Sequence, residues 1–468
     1  MLGQPTPVRR HIRHPSVLLA VLAIAARLAS PASADLSYAL LAVYALLGRR
    51  EAIQALALSW LFTMLSVGVG PDAPNATIGR YFVVFAAAGS VLLRGGLLRW
   101  QKLPLFTVLV GVFILGHSVL FSPIPDVSIL KAISWTLVTV TLLRAWSEMT
   151  DEEARRTVQS LYMGLVAVMV VSAPLAPLAI GYLRNGTGFQ GILNHPQAFG
   201  PVMALLAAWT LGRVLAERRL PWVSIGIIAV SMGFVVMSET RTAGVAMVLG
   251  VGIAVIGAPW VAGRSIRAMA PGLMSRRFFM VGLLCVMGAV AAGSQFGGLV
   301  TDFISKSGRA QATGLLEAYD QSRGGLMDEM WANIDEHPLT GIGFGIASDP
   351  LALSVTRDPV LGLPVGAAVE KGVVPLAVLE ELGLPGFVLV VAWVWMLVKR
   401  AAKRGIAPLA VLSVALLLNM GEAVLFSPGG MGMLILVMVT WAAAAPRATA
   451  ESLPKTGLSR TTPGPQHA

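Results

Sequence analysis

Fourteen apolar runs follow one another along the chain, at 16–31, 35–48, 52–69, 80–93, 103–121, 127–143, 158–180, 197–212, 221–237, 243–262, 278–294, 373–398, 406–425 and 429–446. A helix needs roughly 17–25 such residues to cross a hydrocarbon core of about 30 Å; several runs reach that length and several are shorter. The runs are continuous, not alternating, which excludes a closed β-barrel. With 56% of residues hydrophobic and 13% charged, the composition excludes a water-soluble globular domain. The expectation is an all-α integral membrane protein of about 12–14 transmembrane helices with one large extracytoplasmic loop.

Charge gives the orientation, because cytoplasmic loops collect Lys and Arg. With the N-terminus inside, 25 of the 35 basic residues fall on inner segments, from Arg9, Arg10 and Arg13 to Lys399, Arg400, Lys403, Arg404 and the tail. Seven acids share those segments, leaving +18 inside against −6 outside. Both termini are expected in the cytoplasm. The basic composition therefore reflects orientation in a lipid bilayer, and no nucleic-acid partner is implied.

The opening "VRRHIRH", "SVLLAVLAIAARLA" and "SPASAD" has the three regions of a cleavable signal peptide, but an uncleaved first helix is expected. Four divisions follow: a transmembrane bundle over 1–296, an extracytoplasmic lid over 297–372, further transmembrane helices over 373–446, and a disordered cytoplasmic tail over 447–468. Cys285, the one cysteine, lies in an apolar run, so neither an internal disulfide nor a cysteine metal site is expected. The lid holds an amphipathic pattern: Leu326, Met327, Met330, Trp331 and Ile334 recur at helical steps opposite Asp328, Glu329, Asp335 and Glu336. Asp320 or Ser322 would cap that helix and Pro338 would end it. Its apolar face would rest on the membrane domain or in the interface.

Basic residues on the outer side run against the charge rule, and short outer loops hold three: Arg80, Arg184 and Arg241. Guanidinium groups bind phosphate through paired hydrogen bonds. Arg241, in "MSETRTAGVAMVLG", either pairs with Glu239 across a tight turn or binds an anion. Arg184 precedes Asn185-Gly186, a turn signal. Arg80 reads as a headgroup anchor. Arg323 stands at the start of the amphipathic helix, where terminal amides favour an anion. His195, in "NHPQ", is a base, a donor or a helix entry.

Glu370 and Lys371 end the lid, and Glu380 and Glu381 follow about two turns later. Carboxylates at that depth normally face protein or a wet cavity. Gly383 and Pro385 in "ELGLPG" make Glu381 a candidate anchor for a bent helix, while Lys131 and Glu422 are further buried candidates with an interior ion pair as one reading. The alternating Gly341, Gly343 and Gly345 mark close backbone approach. They form no nucleotide loop, because no strand precedes them.

Together "GILNHPQAFGPVMALL", "SETRTAGVAMVLG", "SRGGLMDEMWANIDEHPLTGIGFG" and "EKGVVPLAVLEELGLPG" resemble the O-antigen ligase and polymerase family of bacterial envelope glycan synthesis over about Arg184 to Gly386. The resemblance implies a metal-independent, inverting glycosyltransferase of the inner membrane without cofactors. It would use a polyprenyl diphosphate-linked oligosaccharide as donor, a glycan acceptor and, in some systems, a chain-length regulator. Arg241 matches the family's span-end arginine; Arg184, with Gly200 downstream, matches an arginine-to-glycine pattern of the polymerases; Arg323 matches the loop arginine. Where ligases carry His-Asn at the end of the lid this chain has Glu370-Lys371, which favours polymerase over lipid A ligase.

The expected catalytic residues are thus Glu370, His195 and Arg241, and the expected diphosphate ligands Arg184, Arg241, Arg323 and Lys371, with Glu239 and Glu381 in support. Cationic groups would stabilise the leaving diphosphate, and Glu370 or His195 would accept the acceptor proton. The rival classes are a secondary transporter or flippase, which would show internal repeats, and a multispanning peptidoglycan polymerase.

Overall fold

A computed structural model describes residues 14–73, 75–94, 101–217, 221–305, 315–357, 362, 364–367, 369 and 371–444. The tail 447–468 and Glu370 lie outside the described residues, as does the side chain of Arg323. Each of the fourteen apolar runs contains a helix: α1 (His14–Ala29), α2 (Pro31–Ala45), α3 (Arg49–Met64), α4 (Ala76–Leu92), α5 (Lys102–Phe121), α6 (Pro125–Glu148), α7 (Asp151–Ser172), α8 (Pro196–Ala216), α9 (Trp222–Met237), α10 (Arg241–Ala262), α12 (Arg276–Ser305), α14 (Val374–Arg404), α15 (Ile406–Leu418) and α16 (Met431–Ala444). Two more, α11 (Ile266–Met269) and α13 (Leu315–Glu336), fall between them. Six helices, α5, α6, α7, α8, α10 and α14, are long and apolar enough to cross a membrane by length and composition. The chain is an all-α protein with the helices of a membrane-spanning one.

A helix that is apolar all round belongs in the core, and α8, α15 and α16 are such helices, buried along most of their length. Helix α15 stands at the centre, packed against α8, α10, α14 and α16. Two glycines set its distances. A Cβ at Gly212 of α8 would lie 2.6 Å from Ala407 Cα, and one at Gly250 of α10 would lie 2.6 Å from Val414 Cγ2 and 2.9 Å from Val414 N. Helices in lipid associate through packing of this kind, with small residues letting backbones approach.

At about 1.5 Å per residue, the 13 residues of α15 and the 14 of α16 span only about two thirds of a hydrocarbon core. The predicted run 406–425 is therefore helical only to Leu418. Between the two helices the chain is irregular, and Asn419 holds it. Its Nδ2 donates to Ala415 O at 2.7 Å, while its Oδ1 accepts from Val424 N at 2.9 Å and Leu425 N at 2.7 Å. Non-helical backbone is tolerated at such depth only inside protein or along a cavity. Both apply here.

The lid segment plugs into the bundle. Residues 338–346 run along the kink of α14, where Gly383 adopts φ 63° ahead of Pro385. Ile342 N donates to Glu380 O at 2.8 Å, Gly343 N to Glu381 O at 3.1 Å and Leu384 N to Pro338 O at 2.9 Å. Those contacts occupy carbonyls and amides that the bend frees from the helix ladder. Gly341, Gly343 and Gly345 all have positive φ and lie against Glu381, Ser122 and Lys131, as the expected close approach requires.

Helix α13 departs from its expected form in two ways. It already runs at Leu315, so Asp320 and Ser322 are interior residues, not caps. Of its expected apolar face, Met330 and Ile334 are buried and Leu326 and Met327 half-buried, whereas Trp331 is exposed and Asn333 is half-buried in its stead. Asn333 draws that face toward α14, donating to Glu380 Oε1 at 2.7 Å and to Ser348 O at 2.9 Å. The lid also contains a hairpin absent from the sequence expectation, β1 (Val355–Arg357) with β2 (Pro364–Ala367). Arg357 Nη1 pairs with Asp126 Oδ2 at 2.6 Å and anchors it to the start of α6.

Replacing Gly250 by Leu forces α10 from α15. Overpacking of this kind costs about 1–3 kcal/mol, so thermal unfolding in detergent is expected several degrees below wild type, whereas Gly252→Leu, where a Cβ meets nothing within 4 Å, leaves the midpoint in place.

Candidate functional site

A cavity of about 1010 Å³ opens where α15 and α16 stop short. Five helices begin on its wall: α4 through Thr77 and Arg80, α6 through Val127 and Lys131, α8 through Gln197, α10 through Arg241 and Thr242, and α16 through Met431. The N-cap residues of α4, α6 and α10 (Asn75, Ile124 and Thr240) make no side-chain capping bond. Helix N-termini each carry about half a positive charge. Three full cations, Arg80, Lys131 and Arg241, join them, with Glu239 and Glu422 the carboxylates among the described lining residues. Helix N-termini and cations of this kind attract negative charge.

Arg241 is the first residue of α10. Its position comes from the turn before it, in which Glu239 has φ 55°, the one non-glycine at positive φ among the described residues. Ser238 and Thr240 share a hydroxyl hydrogen bond of 2.6 Å inside that turn. The turn presses on α8 at Gly200, where a Cβ would overlap Thr240 Oγ1. That glycine lets Arg241 and His195 share one wall. Glu239 Oε2 accepts from Thr187 Oγ1 at 3.3 Å, tying the turn to the Arg184 loop.

His195 caps α8, its Nδ1 accepting from Gln197 N at 3.0 Å. In the neutral ring the proton then sits on Nε2, so the imidazole presents a donor and its basic nitrogen is occupied. Arg80 stacks near the Tyr81 ring at 5.3 Å and lies against Gly429. Lys131 Nζ donates to Gly345 O at 2.7 Å. The apolar part of the wall includes Val245 and Leu249 on α10, both exposed at the bundle surface.

The remaining expected residues stand elsewhere. Arg184 is exposed and absent from the lining; its backbone N donates to Gln190 Oε1 at 2.8 Å, as a turn residue's would. Lys371 is buried in an ion cluster, with Nζ 2.6 Å from Glu380 Oε2 and 3.1 Å from Glu381 Oε1. Glu381 Oε2 accepts from Gly345 N at 2.7 Å. Both carboxylates are thus fully engaged, and neither they nor Lys371 line the cavity. Among the described residues no group of His, Cys, Asp and Glu is placed to hold a metal ion.

The sequence alone reads Arg80 as an anchor, and Lys131 and Glu422 as buried ionisable residues, an interior ion pair or, in a transporter, translocation residues. The signal for Arg80 is an arginine in a short outer loop, and for Lys131 a lone lysine within an apolar run. The chain matches no protein-family model, and no curated protein matches it in sequence.

Removing one partner of a buried ion cluster leaves uncompensated charge and costs about 3–5 kcal/mol. Lys371→Met is expected to unfold well below wild type in detergent, and adding Glu380→Gln and Glu381→Gln to restore much of the loss. An unchanged midpoint for Lys371→Met would mean the cluster contributes nothing to the fold.

Proposed function

We propose that the chain is a membrane glycosyltransferase that polymerises or transfers a polyprenyl diphosphate-linked glycan on the outer face of the bacterial inner membrane. One observation carries the reading: Arg80, Lys131 and Arg241 meet five helix N-termini in a cavity whose apolar side continues to the bundle surface along Val245 and Leu249. A ligand that satisfies both parts has a strongly anionic head and a hydrocarbon tail. The cavity also lies at the helix ends that the charge rule puts outside, with 12–14 spans and both termini cytoplasmic.

In the proposed reaction an acceptor hydroxyl attacks the anomeric carbon from the side opposite the diphosphate. The new C–O bond forms as the bond to the phosphate oxygen breaks, the electron pair leaves with the diphosphate, and the configuration inverts. Arg241, Arg80 and Lys131 stabilise the charge that develops there. His195 donates from Nε2 to a phosphate or sugar oxygen. The acceptor's proton passes to a carboxylate; Glu239 and Glu422 stand on the wall, and Glu370 ends the lid. Glu→Gln at the residue responsible lowers kcat far more than it changes KM.

A charge-assisted hydrogen bond is worth about 1.5–3 kcal/mol. Arg241→Ala and Arg80→Ala are therefore expected to weaken binding of a polyprenyl diphosphate in nanodiscs by roughly 10- to 150-fold, while Arg184→Ala stays within about twofold. In cells, Arg241→Ala is expected to leave the protein in the membrane and to accumulate single lipid-linked repeat units. Wild-type affinity in both cavity arginine variants would overturn the assignment.

A further inference from the structure

Gly345 touches both the cavity's Lys131 and the buried ion cluster. Its carbonyl accepts from Lys131 Nζ at 2.7 Å on the cavity side, and its N–H donates to Glu381 Oε2 at 2.7 Å on the cluster side. Gly345 has φ 68°, and a Cβ on it would lie 2.5 Å from Lys131 Cδ, so the lysine stem lies directly across the glycine. Glu381 is itself fixed by Lys371 Nζ at 3.1 Å, and Glu380 by Lys371 and by Asn333 of α13. We infer that Glu381 and Gly345 are positioning residues that aim the Lys131 ammonium into the cavity, coupling the seating of the lid to the strength of the anion site.

The physical argument concerns a flexible side chain. A lysine stem has four rotatable carbons and loses substantial rotamer freedom when held in one place. On the cavity wall an untethered Lys131 would sample many rotamers, and each ligand molecule would have to order it. The Gly345 carbonyl takes one of its three N–H groups and orders it beforehand, which is how preorganisation strengthens binding. The carbonyl can do so only while Gly345 is held, and the Glu381 carboxylate holds it through the N–H on the other side of its Cα. Glu381 stands just before the α14 kink at Gly383, where the lid loop is hydrogen-bonded. A lid that leaves its seat takes Gly345 from Glu381 and releases Lys131.

The inference rests on reading the cavity as a diphosphate site, and the experiment separates the two. Full-length protein in phosphatidylcholine nanodiscs is titrated with geranylgeranyl diphosphate, and unfolding midpoints are recorded for every variant. Lys131→Ala is expected to weaken binding at least about fivefold, and Gly345→Ala and Glu381→Ala each by a similar factor. Glu381→Gln keeps an acceptor for the Gly345 N–H and is expected to bind within about threefold of wild type. In the Lys131→Ala background, Gly345→Ala and Glu381→Ala are expected to change affinity less than twofold, because they act through the lysine; general damage to the fold would add instead. Glu381→Gln leaves the backbone at Gly345 undisturbed and so keeps the comparison decisive if Gly345→Ala folds poorly. Weakening in Arg241→Ala and Lys131→Ala with none in Gly345→Ala and Glu381→Ala, or fully additive losses, overturns the inference and leaves the cavity reading standing. No effect in either Arg241→Ala or Lys131→Ala removes the cavity reading and the inference with it.

Discussion

The buried contact of Lys371 with Glu380 and Glu381 is the constraint on which the lid end of the molecule depends. Three ionised groups taken out of water carry a desolvation cost that their mutual attraction offsets only in good geometry with further hydrogen bonds. Those bonds come from outside α14: Asn333 on Glu380 and the Gly345 amide on Glu381. The cluster is satisfied only when α13 and the 338–346 loop are in place. Burial of charge thereby makes the lid segment part of the bundle.

The bend of α14 at Gly383 follows from the same requirement. An unbroken helix would offer the loop neither the carbonyls of Glu380 and Glu381 nor the amide of Leu384, because all would be used in the helix ladder. Gly383 with φ 63° and Pro385 after it release those groups, and the loop satisfies them. A Cβ at Gly383 would overlap Leu339 O, so glycine is required for space as well as for its dihedral angle. Sequence position, backbone conformation and loop docking are consistent at this one residue.

The helices were legible in the sequence because continuous apolar runs have few alternatives in lipid, and all fourteen contain helices. Their ends were less so. The run 406–425 reads as one span because Ala423, Val424 and Leu425 are apolar, yet Asn419 turns the chain by bonding the amides of Val424 and Leu425; a short-range polar contact prevailed over hydropathy. Of the site, Arg241, His195 and Glu239 were legible from motif and charge, and all three line the cavity. Arg80 and Lys131 were not assigned to it. Their role depends on where α4 and α6 begin relative to α10, a tertiary relation that no local pattern encodes. Lys371 reads from sequence as a phosphate ligand at the end of a loop, whereas in the structure it is buried against Glu380 and Glu381, two adjacent residues of α14.

Electrostatics at the cavity wall follows from helix direction as much as from side chains. Five N-termini at about half a charge each, with three cations and two carboxylates, leave the wall strongly positive without any single group being exceptional. Such a field is costly to leave unbalanced beside apolar surface. The shortness of α15 and α16 makes this possible. Had they continued through the full thickness of the bundle, they would have filled the volume where the N-termini converge. The irregular stretch from Asn419 to Gly430 replaces them with backbone that can line a wet cavity. It also brings Glu422 and Gly429 to the wall, with Gly429 against Arg80. The truncation of two core helices is thus the structural cause of the cavity.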